Sequence, residues 1–149
     1  MELFIREIER DDLPDLLELY TFLHDNPYPA IDQTVDAVWS EILGDANHHI
    51  LLGHIGGKLV SSCVVIIVRN LTRGQRPYAL IENVITHPGF RKLGCGSRVL
   101  AAARDLAAGE NCYKIMLMTG SKEEGTLNFY RQAGYNSNDK TAFIQRLEK

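Results

Sequence analysis

The stretch Ile81-Glu-Asn-Val-Ile-Thr-His-Pro-Gly-Phe-Arg-Lys-Leu-Gly-Cys-Gly-Ser97 decides how this chain reads. An apolar run of strand character ends at Pro88-Gly89, and the basic pair Arg91-Lys92 follows. Two glycines spaced Gly94-x-Gly96 then open a helix. Glycine lets backbone N–H groups approach a ligand with no Cβ in the way, and the first turn of a helix leaves those groups without intrahelical partners. With two cations alongside, the turn suits a phosphate or pyrophosphate.

Working outward, residues 78–86 read as the strand that feeds this turn, and residues 94–109 as the helix leaving it. Val99, Leu100, Ala103, Leu106 and Ala107 mark its buried face. Residues 112–118 form a nearly continuous apolar run, as expected of a strand covered on both faces. Residues 126–133 predict a short helix stopped by Gly134, and residues from 135 on, with 141–147, predict one or two closing strands. Upstream, residues 3–8 alternate as a first strand. Asp11 or Asp12 is placed to cap a helix carrying Leu13, Leu16, Leu17 and Tyr20, with Pro14 in its first turn. Asn26-Pro-Tyr-Pro29 breaks that helix and is either a rigid linker or a roof over an acceptor pocket. A second helix over 32–43 carries Val35, Val38, Trp39 and Ile42 and stops at Gly44. Strands over 48–54 and 58–68 meet at Gly56-Gly57, a hairpin signal. The order βααβββαβαβ(β) makes an α/β domain around one mixed sheet.

The chain has 149 residues and formal net charge −3. That length predicts a single domain over 1–149, able to bury roughly two-thirds of its unfolded surface. The acidic balance argues against a nucleic-acid partner, which needs a basic face. Cys63, Cys95 and Cys112 are odd in number and include no CxxC pair, so reduced thiols in a cytoplasmic protein are expected. No apolar run approaches the roughly 20 residues that cross a bilayer, so no membrane partner is expected. His48, His49 and His54 lack a nearby acidic or thiol partner in sequence, and no metal is expected.

Three segments together resemble the GNAT superfamily of acyl-CoA-dependent N-acyltransferases. They are Arg91-x-x-Gly94-x-Gly96 after an apolar strand, Cys112-Tyr-Lys-Ile-Met-Leu117 as the following strand, and Asn128-Phe-Tyr-Arg-Gln-Ala-Gly-Tyr135 at the last helix. Within the superfamily, Ile81-Glu-Asn-Val-Ile, Cys112-Tyr-Lys-Ile and Phe129-Tyr130 are similar to glucosamine-6-phosphate N-acetyltransferases, which carry an acidic pair where this chain has Glu82-Asn83. The resemblance implies a mixed, mostly antiparallel sheet of six to seven strands with four helices and splayed central strands. It also implies acetyl-CoA as co-substrate, no metal, and a homodimer.

By the same resemblance, the backbone of Val84, Ile85 and Thr86 pairs with the pantetheine arm. The amides of Lys92, Leu93, Gly94, Cys95, Gly96 and Ser97 hold the pyrophosphate, with Arg91 and Lys92 adding charge. Acyl transfer to an amine needs a base, donors for the oxyanion and an acid for the departing thiolate. Tyr130 is the candidate acid, and Glu82 the candidate base or ammonium anchor. The Val84 or Ile85 amide is the candidate oxyanion donor. Cys95 reads as structural despite its place between the glycines. On the acceptor side the candidates are Asn83, with Arg73 and Arg76 as a clamp for an anionic group. The expected activity is direct acetyl transfer to a primary amine of a small metabolite, an amino sugar phosphate among the candidates. The alternatives are a protein or peptide N-acetyltransferase and a non-catalytic acyl-CoA-binding module.

Overall fold

A computed structural model describes residues 2–24 and 26–148. The chain divides into two compact units, Met1–Leu117 and Met118–Lys149. The first unit holds a five-stranded sheet in the order β1-β2-β3-β4-β5. Its strands are β1 (Leu3–Glu7), β2 (His48–Ile55), β3 (Lys58–Val68), β4 (Tyr78–Thr86) and β5 (Ile115–Leu117). Neighbours are antiparallel except β4 and β5, which run parallel. Gly56 and Gly57 join β2 to β3 with φ of 56° and 82°, the left-handed pair that a tight hairpin needs.

Two helices cover one face of this sheet. In α1 (Leu13–Tyr20), Leu13, Leu16 and Leu19 are buried against it. Asp12 stands at the N-cap position, but its carboxylate does not cap the helix. It accepts instead from the Glu9 amide at 2.6 Å and from both Arg6 guanidinium nitrogens at 2.8 Å. In α2 (Gln33–Leu43), the Asp32 carboxylate accepts from the Val35 amide at 3.0 Å and satisfies an otherwise orphaned donor. Trp39 on α2 is buried, and its indole N–H donates to the Arg10 carbonyl at 3.0 Å. Ile50 and Leu52 of β2 join this layer's core with Val64 and Ile85.

Strand alternation sends Gly53 to the opposite face, where a Cβ would lie 3.2 Å from Val99. Val99 belongs to α3 (Cys95–Gly109), whose Leu100, Ala103 and Ala107 are also buried. The sheet is thus a middle layer with helices on both sides, the arrangement that buries an apolar pattern on every strand.

The second unit holds α4 (Glu124–Gln132), beginning two residues before the expected start. Two further expectations are corrected. The strand foreseen over 112–118 is only β5, because the preceding amides are taken: Cys112 N–H donates to Ala107 at the end of α3, and Tyr113 N–H to Pro77. The closing strands foreseen after residue 134 are absent among the described residues, so the sheet has five strands rather than six to seven. Phe143, Ile144 and Leu147 lie exposed at 91%, 74% and 90%. Their apolar pattern shows a demand for burial, but a strand also needs a neighbour's N–H and C=O groups, and no described strand supplies them.

Candidate active site

Three features of β4 and the turn after it build the site. The first is a bulge. Ser62 pairs with Ile85 and Val64 with Glu82, so Cys63 faces two residues, Asn83 and Val84. Asn83 takes φ of 51°, a left-handed conformation that asparagine tolerates better than most residues. A bulge leaves an extra residue outside the ladder and re-aims its neighbours.

The second is an open edge. Pairing with β5 runs only from Ala79 opposite Ile115 to Ile81 opposite Leu117. Beyond Ile81, β4 is paired with β3 alone. The His87 amide donates to Val60 at 2.7 Å, which fixes the phase of the antiparallel ladder. Ile85, two residues back, therefore turns its backbone toward β3, where its carbonyl also accepts from the Ser61 hydroxyl at 3.1 Å. Thr86, between them, turns its backbone groups to the open edge.

The third is the start of α3. Its N-cap is Gly94, with φ of 81°, and no side chain caps it. No acidic residue lies in the first turn, so nothing in the helix competes with an incoming anion. Lys92 is also left-handed, with φ of 63°. Arg91, Lys92, Leu93, Gly94 and Ser97 are exposed, Gly96 is half-buried, and Cys95 is buried. Cys95 is thus packed inward between exposed neighbours.

Glu82 and Asn83 line a cavity of about 520 Å³ between the α1–α2 layer and the sheet. Tyr20, Thr34 and His48 line it as well, with an otherwise apolar wall that includes Val35, Val38 and Trp39. The Tyr20 hydroxyl is buried and makes no hydrogen bond of good geometry. Burial pushes its pKa up to about 12, and the facing Asn83 side chain works against that rise. Burial holds the His48 imidazole below its ordinary pKa, opposed by nearby Asp45 and reinforced by His49. His49 itself meets Glu7 at 2.5 Å. Among the described residues no group of three or more potential ligands is placed to hold a metal.

The two acceptor-side arginines lie elsewhere. The Arg76 guanidinium donates to the carbonyls of Asn111 and Cys112, each at 3.2 Å, strapping the loop before β4 to the end of α3. Arg73 sits 5.8 Å from the Tyr113 ring centre. Neither lines the cavity shared by Glu82 and Asn83, nor do Tyr28 and its flanking prolines. In the second unit, α4 carries Tyr130, half-buried and edge-on to Phe129 with ring centres 5.1 Å apart.

Sequence reasoning missed the cavity and, with it, Tyr20, Thr34 and Trp39 as site residues. The signal was present in excess apolar width. The stripes of α1 and α2 were read as core, yet Val38 remains 50% exposed.

Residues 10–135 match the acetyltransferase (GNAT) family. The chain belongs to that family. Its members are acetyltransferases that take acetyl-CoA as co-substrate and an amine as acceptor. An acetyltransferase-like protein from Agrobacterium tumefaciens str. C58 is 40% identical, with a TM-score of 0.90 over 96% of this chain and 99% of that one. Glucosamine 6-phosphate N-acetyltransferase from Trypanosoma brucei brucei is 24% identical over 140 residues, 94% of this chain and 93% of the relative. The crystal structure of glucosamine-6-phosphate N-acetyltransferase from Arabidopsis thaliana shares the fold at TM-score 0.85 and 22% identity, over 99% and 100% of the two chains. This GNAT protein is an enzyme of the N-acetyltransferase class. No helix of its described residues is long and apolar enough to cross a membrane.

Proposed function

We propose that this GNAT enzyme transfers acetyl from acetyl-CoA directly to the primary amine of a small metabolite, with residues 1–149 acting as one catalytic domain. The observation that carries this reading is the uncapped start of α3 behind left-handed Gly94, directly downstream of a strand with a bulge and an open edge. Such a helix start offers unpaired N–H groups to a pyrophosphate. The residues fit the co-substrate: amides from Lys92 to Ser97 would take its phosphates, with Arg91 and Lys92 supplying charge. The open-edge backbone at Thr86, with Val84 at the bulge, would take its amide arm, whereas Ile85 is turned toward β3. Several satisfied backbone groups at about 1 kcal/mol net each make a substantial contribution to affinity.

Acetyl-CoA supplies the thioester carbonyl, and the chain's own residues manage the protons and charge. Glu82 would hold the acceptor ammonium and remove its proton, directly or through one water. The Val84 amide would donate to the carbonyl oxygen as negative charge grows there, since the Ile85 backbone is turned toward β3. Tyr130 would return a proton to the leaving sulfur, a role open to a phenol hydroxyl. A cytoplasmic location, expected from the unpaired Cys63, Cys95 and Cys112, and a homodimer, implied by the family resemblance, complete the proposal.

A small acceptor is favoured over a protein terminus by the cavity beside Glu82 and Asn83. Two relatives carry the name glucosamine 6-phosphate N-acetyltransferase, so amino sugar phosphates belong on the acceptor panel. A thiol-release assay on Glu82→Gln and Tyr130→Phe tests the roles. Each should lower kcat by about 10²-fold or more, while calorimetric acetyl-CoA affinity stays within about twofold. Full activity in the double variant would refute both assignments.

A further inference from the structure

The lining of the cavity is chemically specific. Its volume of about 520 Å³ falls within the roughly 300–1,000 Å³ typical of small-molecule sites. Leu17, Val35, Val38, Ile42 and Ile66 make an aliphatic wall. Trp39 contributes only its ring, because its indole N–H is already committed to the Arg10 carbonyl. No lysine or arginine lines it. A phosphate in such a place would lose its hydration with no cation to replace it, which is among the costliest transfers a site can impose.

The polar groups gather around the bulge of β4. Glu82 is the one carboxylate of the lining, and Asn83 is its neighbour. The Tyr20 hydroxyl is the one side-chain atom of the lining that is buried with no hydrogen bond of good geometry among the described residues, with the Asn83 side chain facing it. A buried hydroxyl without a well-formed hydrogen bond carries a desolvation penalty that a ligand can relieve. His48, held toward its neutral form by burial, adds no repulsion toward a cation.

We propose that the acceptor is a primary amine carrying an apolar aryl or alkyl body, its ammonium seated among Glu82, Asn83 and Tyr20 and its body against Val35, Val38 and Trp39. This rests on the acetyl-transfer reading above and names the acceptor class of that same site. The reaction balances simply. The N–C bond forms and the thioester C–S bond breaks. Of the two protons the ammonium loses, one ends on the CoA thiol and the other leaves to water. Glu82 has two tasks here, ion pairing and proton removal, and the apolar wall supplies discrimination. Tyr20 acts as a positioning residue, fixing the amine through its hydroxyl beside Asn83.

The test uses the full chain with saturating acetyl-CoA and a thiol-release readout. The acceptors are n-propylamine through n-heptylamine, phenylethylamine and glucosamine 6-phosphate. Burial of each methylene should raise kcat/KM about fourfold until the cavity is filled. Phenylethylamine should exceed glucosamine 6-phosphate at least about tenfold, the scale of two buried methylenes. Val38 is half exposed, so Val38→Asn should fold and should reduce the gain per methylene while leaving acetyl-CoA affinity intact. Tyr20→Phe should raise acceptor KM severalfold with a smaller change in kcat, a split that a purely structural hydroxyl would not produce. The wild-type series alone decides the matter if either variant misfolds. A flat series, or a preference for the sugar phosphate, overturns the acceptor assignment. Absence of acetyl-CoA uptake by folded protein would instead overturn the acetyl-transfer reading itself.

Discussion

Gly94→Ala and Gly109→Ala should change stability in opposite directions, although both place a methyl group on the same helix. Gly94 is the N-cap of α3 with φ of 81°. Gly109 is that helix's last residue and is not left-handed. A Cβ at either position meets nothing within 4 Å, so packing cannot explain a difference. An L side chain held left-handed costs about 1–2 kcal/mol. Removing glycine's freedom from the unfolded chain returns about 0.4–1 kcal/mol. Gly94→Ala should therefore lose about 1 kcal/mol, whereas Gly109→Ala, paying no conformational penalty, should gain about 0.5 kcal/mol. For a chain of this size those values correspond to Tm shifts of about −3 °C and +2 °C. Differential scanning calorimetry of the full chain resolves both. If Gly94→Ala also displaces the loop amides, acetyl-CoA affinity should fall about fivefold per kcal/mol, while Gly109→Ala leaves it unchanged. A Gly94→Ala protein as stable as the parent, alongside a stabilised Gly109→Ala, would refute the claim that a left-handed residue opens this helix.

Asp12→Asn should flatten the acid limb of stability. The Asp12 carboxyl is held below its ordinary value, first by its hydrogen bonds from Arg6 and then by the Glu9 amide, against the opposing effect of burial. A folded-state pKa below the unfolded value of about 3.9 gives stability that is present above it and lost as pH falls through the folded value. The variant should lose about 1–2 kcal/mol at neutral pH and show a weaker further loss below about pH 4, read from urea midpoints at stepped pH. Trp39→Phe should cost about 2 kcal/mol, because it strands the Arg10 carbonyl and removes buried ring volume. Urea unfolding followed by circular dichroism measures it, and an unchanged midpoint would remove the indole bond from the account of how α2 is seated.

Much of this molecule was written in local pattern. Leu13, Leu16 and Tyr20 at helical spacing, Asp32 before Val35, and Gly56-Gly57 between two apolar runs each fix a local geometry, because propensity, capping and left-handed glycine act within a few residues of chain. The turn at 91–97 was partly legible for the same reason: the left-handed helix start at Gly94 follows from where glycine stands, whereas the left-handed Lys92 has no such local signal. Tertiary pairing decided the rest. The extra residue at Asn83–Val84 exists only in register against Cys63, and the β4 edge opens only because the ladder with β5 stops at Leu117. The residues after 134 read as strands by alternation, but a strand is completed by a partner and the pattern names none. Likewise, the stripes of α1 and α2 specified apolar faces without saying whether those faces would meet. Where the two layers part they leave a cavity ending at Tyr20, Glu82 and Asn83, three residues brought to one place by the packing of helices on a sheet.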